Sequence, residues 1–413
     1  MRLNINSISI LFIYLIVFIF PYEDILRIGG DILSISLLDV LILTGGLFII
    51  KIVNAIRKMH MNHEKILIFS WIIFGGYVLL HVFYSIIFHD NYSIFRETAA
   101  IIVMILFLLL CNYSIKNYSH INNIKKIVIF GGVIVSIFAW LFSLGFIDLS
   151  FINPKQMYSR SFGENVIPFL KTSGIMPNTS VYTTFLILAF SFSLSGFLDN
   201  RGVFSKLWHV LLILILLMGV IAPQSRAALL AIVFVIFLFL IMYYSITSNK
   251  YVKFVYPAIG LPIIFFSIYT LIEVAANKYE KILALGSSVT KRFEQIEMSF
   301  NIIAENFLFG VGLGGYNLVT GTSLHLHNMY LKIFVELGFL GFALFSTIIY
   351  LSFKMLFVSF SNHDMQIKSL SLSLILALVG ALVVLFFASG LTVFTLWLIL
   401  GMVAPLYKLH ISH

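Results

Sequence analysis

His325-Leu-His-Asn-Met-Tyr-Leu-Lys-Ile-Phe-Val-Glu-Leu-Gly338 is a polar, titratable cluster that opens directly into a membrane-length apolar run. Polar chemistry at a bilayer boundary is expensive unless it is used. A helix beginning near Asn328 puts His327 at its amino end, where exposed N–H groups disfavour imidazolium. The ring is then neutral and able to accept a proton, as a general base must. On a helical period His327 shares a face with Tyr330, Leu331, Phe334, Gly338 and Gly341, and the two glycines admit a close backbone. Glu336 falls about half a turn away and about 13 Å along the axis, too far to orient His327 directly. It reads as an intrahelical partner of Lys332, in the weaker of the two orientations.

The chain around this stretch is 61% hydrophobic and 10% charged, with mean hydropathy +1.05. So few charges cannot cover a globular surface, which excludes a soluble domain and implies one polytopic, all-α membrane domain over residues 1–413. Apolar runs near 5–20, 32–50, 66–88, 94–112, 126–147, 178–198, 207–222, 227–246, 252–272, 328–358, 367–388 and 391–407 give about twelve spans. With the amino terminus inside, more than half of the 26 basic residues fall on the cytoplasmic face, against Glu64, Asp199 and Asp364. The positive-inside rule therefore sets the orientation, and the net charge of +9 belongs to a membrane face and not to a nucleic-acid partner. The first span follows Arg2 and lacks a small-residue cleavage site, so it reads as an uncleaved anchor. The single cysteine, Cys111, excludes an intrachain disulfide.

Two larger outer loops follow from this topology, 148–177 and 273–326. The first carries Arg160, which either pairs with Glu164 or contacts a substrate phosphate. A short turn at 222–226 delivers Ser225 and Arg226 to the start of a span. An arginine there can snorkel, but beside a helix amino end it makes a good anion receptor. In the second loop Val289, Phe293, Ile296, Phe300, Ile303 and Phe307 recur at gaps of four and three, predicting an amphipathic helix along the bilayer surface. Arg292 near its amino end is a second candidate phosphate ligand. Gly310-Val-Gly-Leu-Gly-Gly315 satisfies a dinucleotide-binding pattern, yet no strand or βαβ unit surrounds it. Its glycines instead let backbone pass close to substrate, or turn the surface helix back toward His327. Arg96 and Glu97 read as interfacial anchors. Asp39, inside a span, has no visible partner.

Three guanidinium groups and the imidazoles of His325 and His327 thus converge by topology on one side of the membrane. His325 and His327 point apart in a strand or a helix, and no carboxylate cluster has ligand spacing, so neither metal nor cofactor is expected. Such a set offers a base for a hydroxyl group and cations for a phosphate.

His327, Asn328, Leu331, Glu336 and Gly338, preceded by Gly310 to Tyr316, resemble the signature of the O-antigen polymerase and ligase superfamily. The resemblance covers about 155–345. It implies a GT-C-like helical fold, inversion at the anomeric carbon, and a multi-pass protein of the bacterial inner membrane with its site facing the periplasm. By that resemblance His327 is the base and Arg226 and Arg292 bind diphosphate, and Ser225, Arg160, His325, Asn328 and Tyr330 are read as lining the substrate site. The expected substrate is an undecaprenyl-diphosphate-linked oligosaccharide, with a separate chain-length regulator as partner. Polymerisation is favoured because the outer loops lack the dense basic surface that a phosphorylated lipid A core acceptor would demand. Ligation to that core is the alternative. A flippase or transporter would carry broken helices at mid-membrane and a half-to-half repeat, neither of which the sequence shows.

Overall fold

In the computed structural model the described residues are 5–22, 27–28, 35–36, 63–89, 94–147, 158–159, 170–171, 176, 178–199, 202–223, 225–246, 289–321, 326–388 and 390–412. They form α1 (Ile5–Ile19, continued by one 3-10 turn to Tyr22), α2 (His63–His89), α3 (Ile94–Ser114), α4 (Tyr118–Ser143), α5 (Thr179–Asp199) and α6 (Val203–Ile221). These are followed by α7 (Arg226–Ile246), α8 (Val289–Glu305), α9 (Gly315–Thr320), α10 (Met329–Phe360), α11 (Met365–Phe386) and α12 (Phe394–Ser412). Among the described residues nine helices, α2 to α7 and α10 to α12, are long and apolar enough to cross a membrane. The chain is a polytopic helical membrane protein. Two short antiparallel ladders interrupt the helices, β1 (Arg27–Ile28) with β2 (Ile35–Ser36), and β3 (Tyr158–Ser159) with β4 (Leu170–Lys171).

The expected span over 32–50 is corrected at its start, because Ile35 and Ser36 are strand. Its remainder, Asp39 included, and the span expected over 252–272 lie outside the described residues. The span expected at 126 begins at Tyr118, since its helix also carries Asn122, Asn123, Lys125 and Lys126. The apolar helix at the amino end, Ile8–Tyr22, is shorter than the other candidate spans.

Association of helices in lipid rests on packing and not on burial from water, so small residues mark the contacts. A Cβ on Gly380 of α11 would come within 2.5 Å of Ile187 on α5 and 2.8 Å of Val235 on α7. Ser369 at the other end of α11 donates to the Ser195 carbonyl at 3.0 Å. These two contacts make α11 antiparallel to α5 and wedge it against α7. Tyr182 near the start of α5 donates to the Gly219 carbonyl at 2.8 Å, so α6 returns alongside α5 and its carboxyl end lies beside the α5 amino end. The innermost large side chains are Trp71, Trp397, Tyr182, Phe185, Phe190 and Phe394.

The helix α8 forms, and its apolar stripe divides between exposed and buried positions. Gln295, Ser299, Ile302 and Ile303 face the protein, while Ile296 and Phe300 are exposed. The apolar spacing identified a helix with two faces; it did not say which one meets the bundle. Here a polar pair packs inward, with the Ser299 hydroxyl donating to the Gln295 carbonyl at 2.6 Å, and the large apolar side chains are left outward.

Candidate active site

Asn328 is the N-cap of α10, extended at φ −154° and ψ 114°, and its side chain accepts the Leu331 N–H at 2.9 Å. The helix start expected from the sequence is therefore where the structure has it. An N-cap of this kind stabilises a helix end by about 1 kcal/mol. His327 precedes it in a bend and is exposed. Tyr330, one turn in, donates to the Leu382 carbonyl of α11 at 3.0 Å, which ties the start of α10 to the end of α11.

At 32 residues α10 is about 48 Å long, well beyond the ~30 Å hydrocarbon core. The surplus is accommodated by a break at Gly338, with φ 66° and ψ −171°. A break strands carbonyls and N–H groups that the helical ladder would have paired, and buried orphans are costly. The segment around Gly310 pairs them instead. Val311 N–H donates to the Val335 carbonyl at 3.0 Å, Gly312 N–H to Glu336 at 2.8 Å, and Phe339 N–H to Phe307 at 2.8 Å. Tyr77 of α2 donates to the Leu337 carbonyl at 2.6 Å, and buried His81 donates from Nε2 to the Phe309 carbonyl. The glycine-rich run thus brings backbone close to α10 itself, and the break at Gly338 corrects the expectation that no spanning helix is broken.

Two charged side chains lie at that seam, Glu336 buried and Lys332 half-buried. The Lys332 ammonium lies 2.9 and 3.0 Å from the carboxylate oxygens of Glu97 at the start of α3, and 3.6 Å from Glu336. Gly314 N–H also serves the Glu336 carboxylate, whose Oε2 has no hydrogen-bond partner. The Lys332–Glu336 pair expected from spacing is present. Glu97 is not a lone interfacial anchor, because it carries the closest ion pair to Lys332.

Arg226 opens α7 and is exposed, with the Ser225 hydroxyl accepting the Ala228 N–H at 3.4 Å. Because α6 returns along α5, and α11 runs antiparallel to α5, Arg226 emerges at the bundle end where Tyr330 meets Leu382. His327 and Glu97 sit at that same end. Arg292 lies in the first turn of α8, beyond which the helix packs on α10 through Ile302 and Ile303. Its side chain, with Arg160 and His325, lies outside the described residues; Arg160 follows directly on β3.

A family described as O-antigen ligase matches residues 210–346. That segment, about a third of the chain, is similar to O-antigen ligase. No curated protein matches the chain. The matched segment holds α7, α8, the glycine run, His327 and the seam at Gly338. Tyr77, His81 and Glu97 lie outside it, although they bond directly to it. Tyr77 and His81 carry no distinguishing pattern in the sequence, since both are single polar-tipped rings in an apolar span. Glu97 carried a signal, a carboxylate at a span boundary, but its partner is 235 positions away.

Proposed function

We propose that this protein is a metal-independent membrane glycosyltransferase of surface-polysaccharide assembly, acting on undecaprenyl-diphosphate-linked oligosaccharides at the outer face of the bacterial inner membrane. The observation that carries the reading is the superfamily match over 210–346, which contains an exposed histidine just ahead of a capped helix and an exposed arginine opening another helix at the same bundle end.

In this reading His327 takes the proton from the acceptor hydroxyl as that oxygen attacks the anomeric carbon. The bond from that carbon to the diphosphate oxygen breaks, and the electron pair leaves with the diphosphate. Arg226 and Arg292 hold the developing charge, with Ser225, Arg160, His325, Asn328 and Tyr330 lining the substrate. Proton removal contributes roughly two to four orders of magnitude, and charge stabilisation roughly two to three.

The acceptor we favour is a second lipid-linked repeat unit, which makes the enzyme a polymerase working beside a chain-length regulator. Ligation to lipid A core is the second reading, supported by the description of the matching family as O-antigen ligase. The test is the glycan pattern of cells lacking the protein. Single repeat units on lipid A core indicate a missing polymerase, and long chains stranded on polyprenyl diphosphate a missing ligase. An unchanged pattern overturns both.

A further inference from the structure

The break at Gly338 turns the first nine residues of α10, Met329 to Leu337, into a short stub with His327 and Asn328 at its tip. Across the break the helical ladder no longer resists bending. The tip lies about 16 Å from Gly338, so a swing of about 10° at the break moves His327 by about 3 Å. Errors of about 1 Å in the placement of a reacting group cost on the order of 100-fold in rate. A hinged base therefore needs a brace well above its hinge.

The seam to residues 307–312 and the Tyr77 bond all lie within three residues of Gly338, where they have little leverage. Two contacts lie higher up the stub: Tyr330 fastens its tip to α11 through the Leu382 carbonyl, and Lys332, about 9 Å from the break, fastens it to α3 through Glu97 at 2.9 and 3.0 Å. Lys332 and Glu97 are 16% and 32% exposed, so water screens the pair only partly. Glu336 completes it from below, joined to Lys332 and to the Gly314 N–H.

We infer that Glu97, Lys332 and Glu336 are positioning residues that brace the hinged start of α10, and so fix His327 for transfer. This rests on the reading of His327 as the base. It also assigns a role in the site to α3, which lies outside the family match.

The test measures kcat and KM for the lipid-linked donor in purified full-length enzyme, normalised to folded protein by size exclusion and thermal melting. Glu97→Gln keeps a hydrogen-bonding side chain at a partly exposed position. It is expected to lower kcat by about 10- to 100-fold with KM within about threefold. Lys332→Met with Glu336→Gln removes both charges of the stub together, leaves Glu97 partly in contact with solvent, and is expected to do the same. Lys332→Arg, which keeps the cation, should recover most of the kcat lost in that pair. Values of kcat within twofold of the unaltered enzyme in both neutralised variants overturn the brace. A loss that follows the folded fraction alone, or falls on KM alone, also overturns it. Absence of transfer by the unaltered enzyme fails the proposed function instead, which separates the two.

Discussion

Gly310 and Gly338 meet backbone to backbone with no room for a methyl group on either. A Cβ on Gly310 would sit 2.5 Å from the Val335 carbonyl oxygen and 2.6 Å from Gly338 N, and one on Gly338 would sit 2.6 Å from Gly310 N. Both residues have φ near +66°, and Gly338 with ψ −171° lies in a region essentially reserved for glycine, where an L side chain costs roughly 1–3 kcal/mol before any clash. Overpacking against backbone adds about 1–3 kcal/mol. Gly310→Ala and Gly338→Ala are each expected to destabilise the protein by about 3 kcal/mol, read as a lowered melting temperature in detergent. Melting unchanged in both would mean that the seam is not held this tightly.

His327→Ala should leave expression and melting unaltered, since the side chain is exposed. Glycan elongation should fall by roughly 100- to 10,000-fold. A normal ladder of chain lengths from this variant would remove the base assignment.

Arg226→Lys and Arg292→Lys test whether a fork of donors is needed or a positive charge suffices. Removal of such a cation costs on the order of 100- to 1,000-fold, and lysine should restore a part of this because it offers a point charge without the planar fork. Full activity in both lysine variants would argue against diphosphate binding.

Asn328→Ala removes the oxygen that accepts the Leu331 N–H. The expected loss is about 1 kcal/mol of stability, since the helix start is also held by Tyr330. A larger fall in kcat than in stability would show that Asn328 also acts on substrate.

A chelator added to purified enzyme should change the rate by less than about twofold, because the base and the cations of the proposed reaction are side chains. Strict dependence on a divalent ion would sink the mechanism as written.

The positions of the described spans were legible because bilayer thickness imposes long apolar runs on the sequence, and the start of α10 because Asn328 is a strong cap. Gly338 was legible as a small residue admitting a close neighbour. That it breaks the helix was not, because a glycine inside an apolar run has the same local signature whether the helix continues or stops. The inward face of α8 was hidden for a related reason. Gln295 and Ser299 are buried by a neighbour that the helix sequence does not encode. The ion pair of Glu97 was beyond local pattern altogether, since the sequence between its partners contains most of the protein.

The stitched break also orders assembly. Its seam joins residues fewer than forty positions apart, so it can close before α11 and α12 have packed against the bundle. The contacts from Tyr77 and Glu97 span 260 and 235 positions, and loop-closure entropy makes them later events. The newborn enzyme would thus possess its histidine tip, already folded back on the glycine run, before the early helices dock and lock its aim.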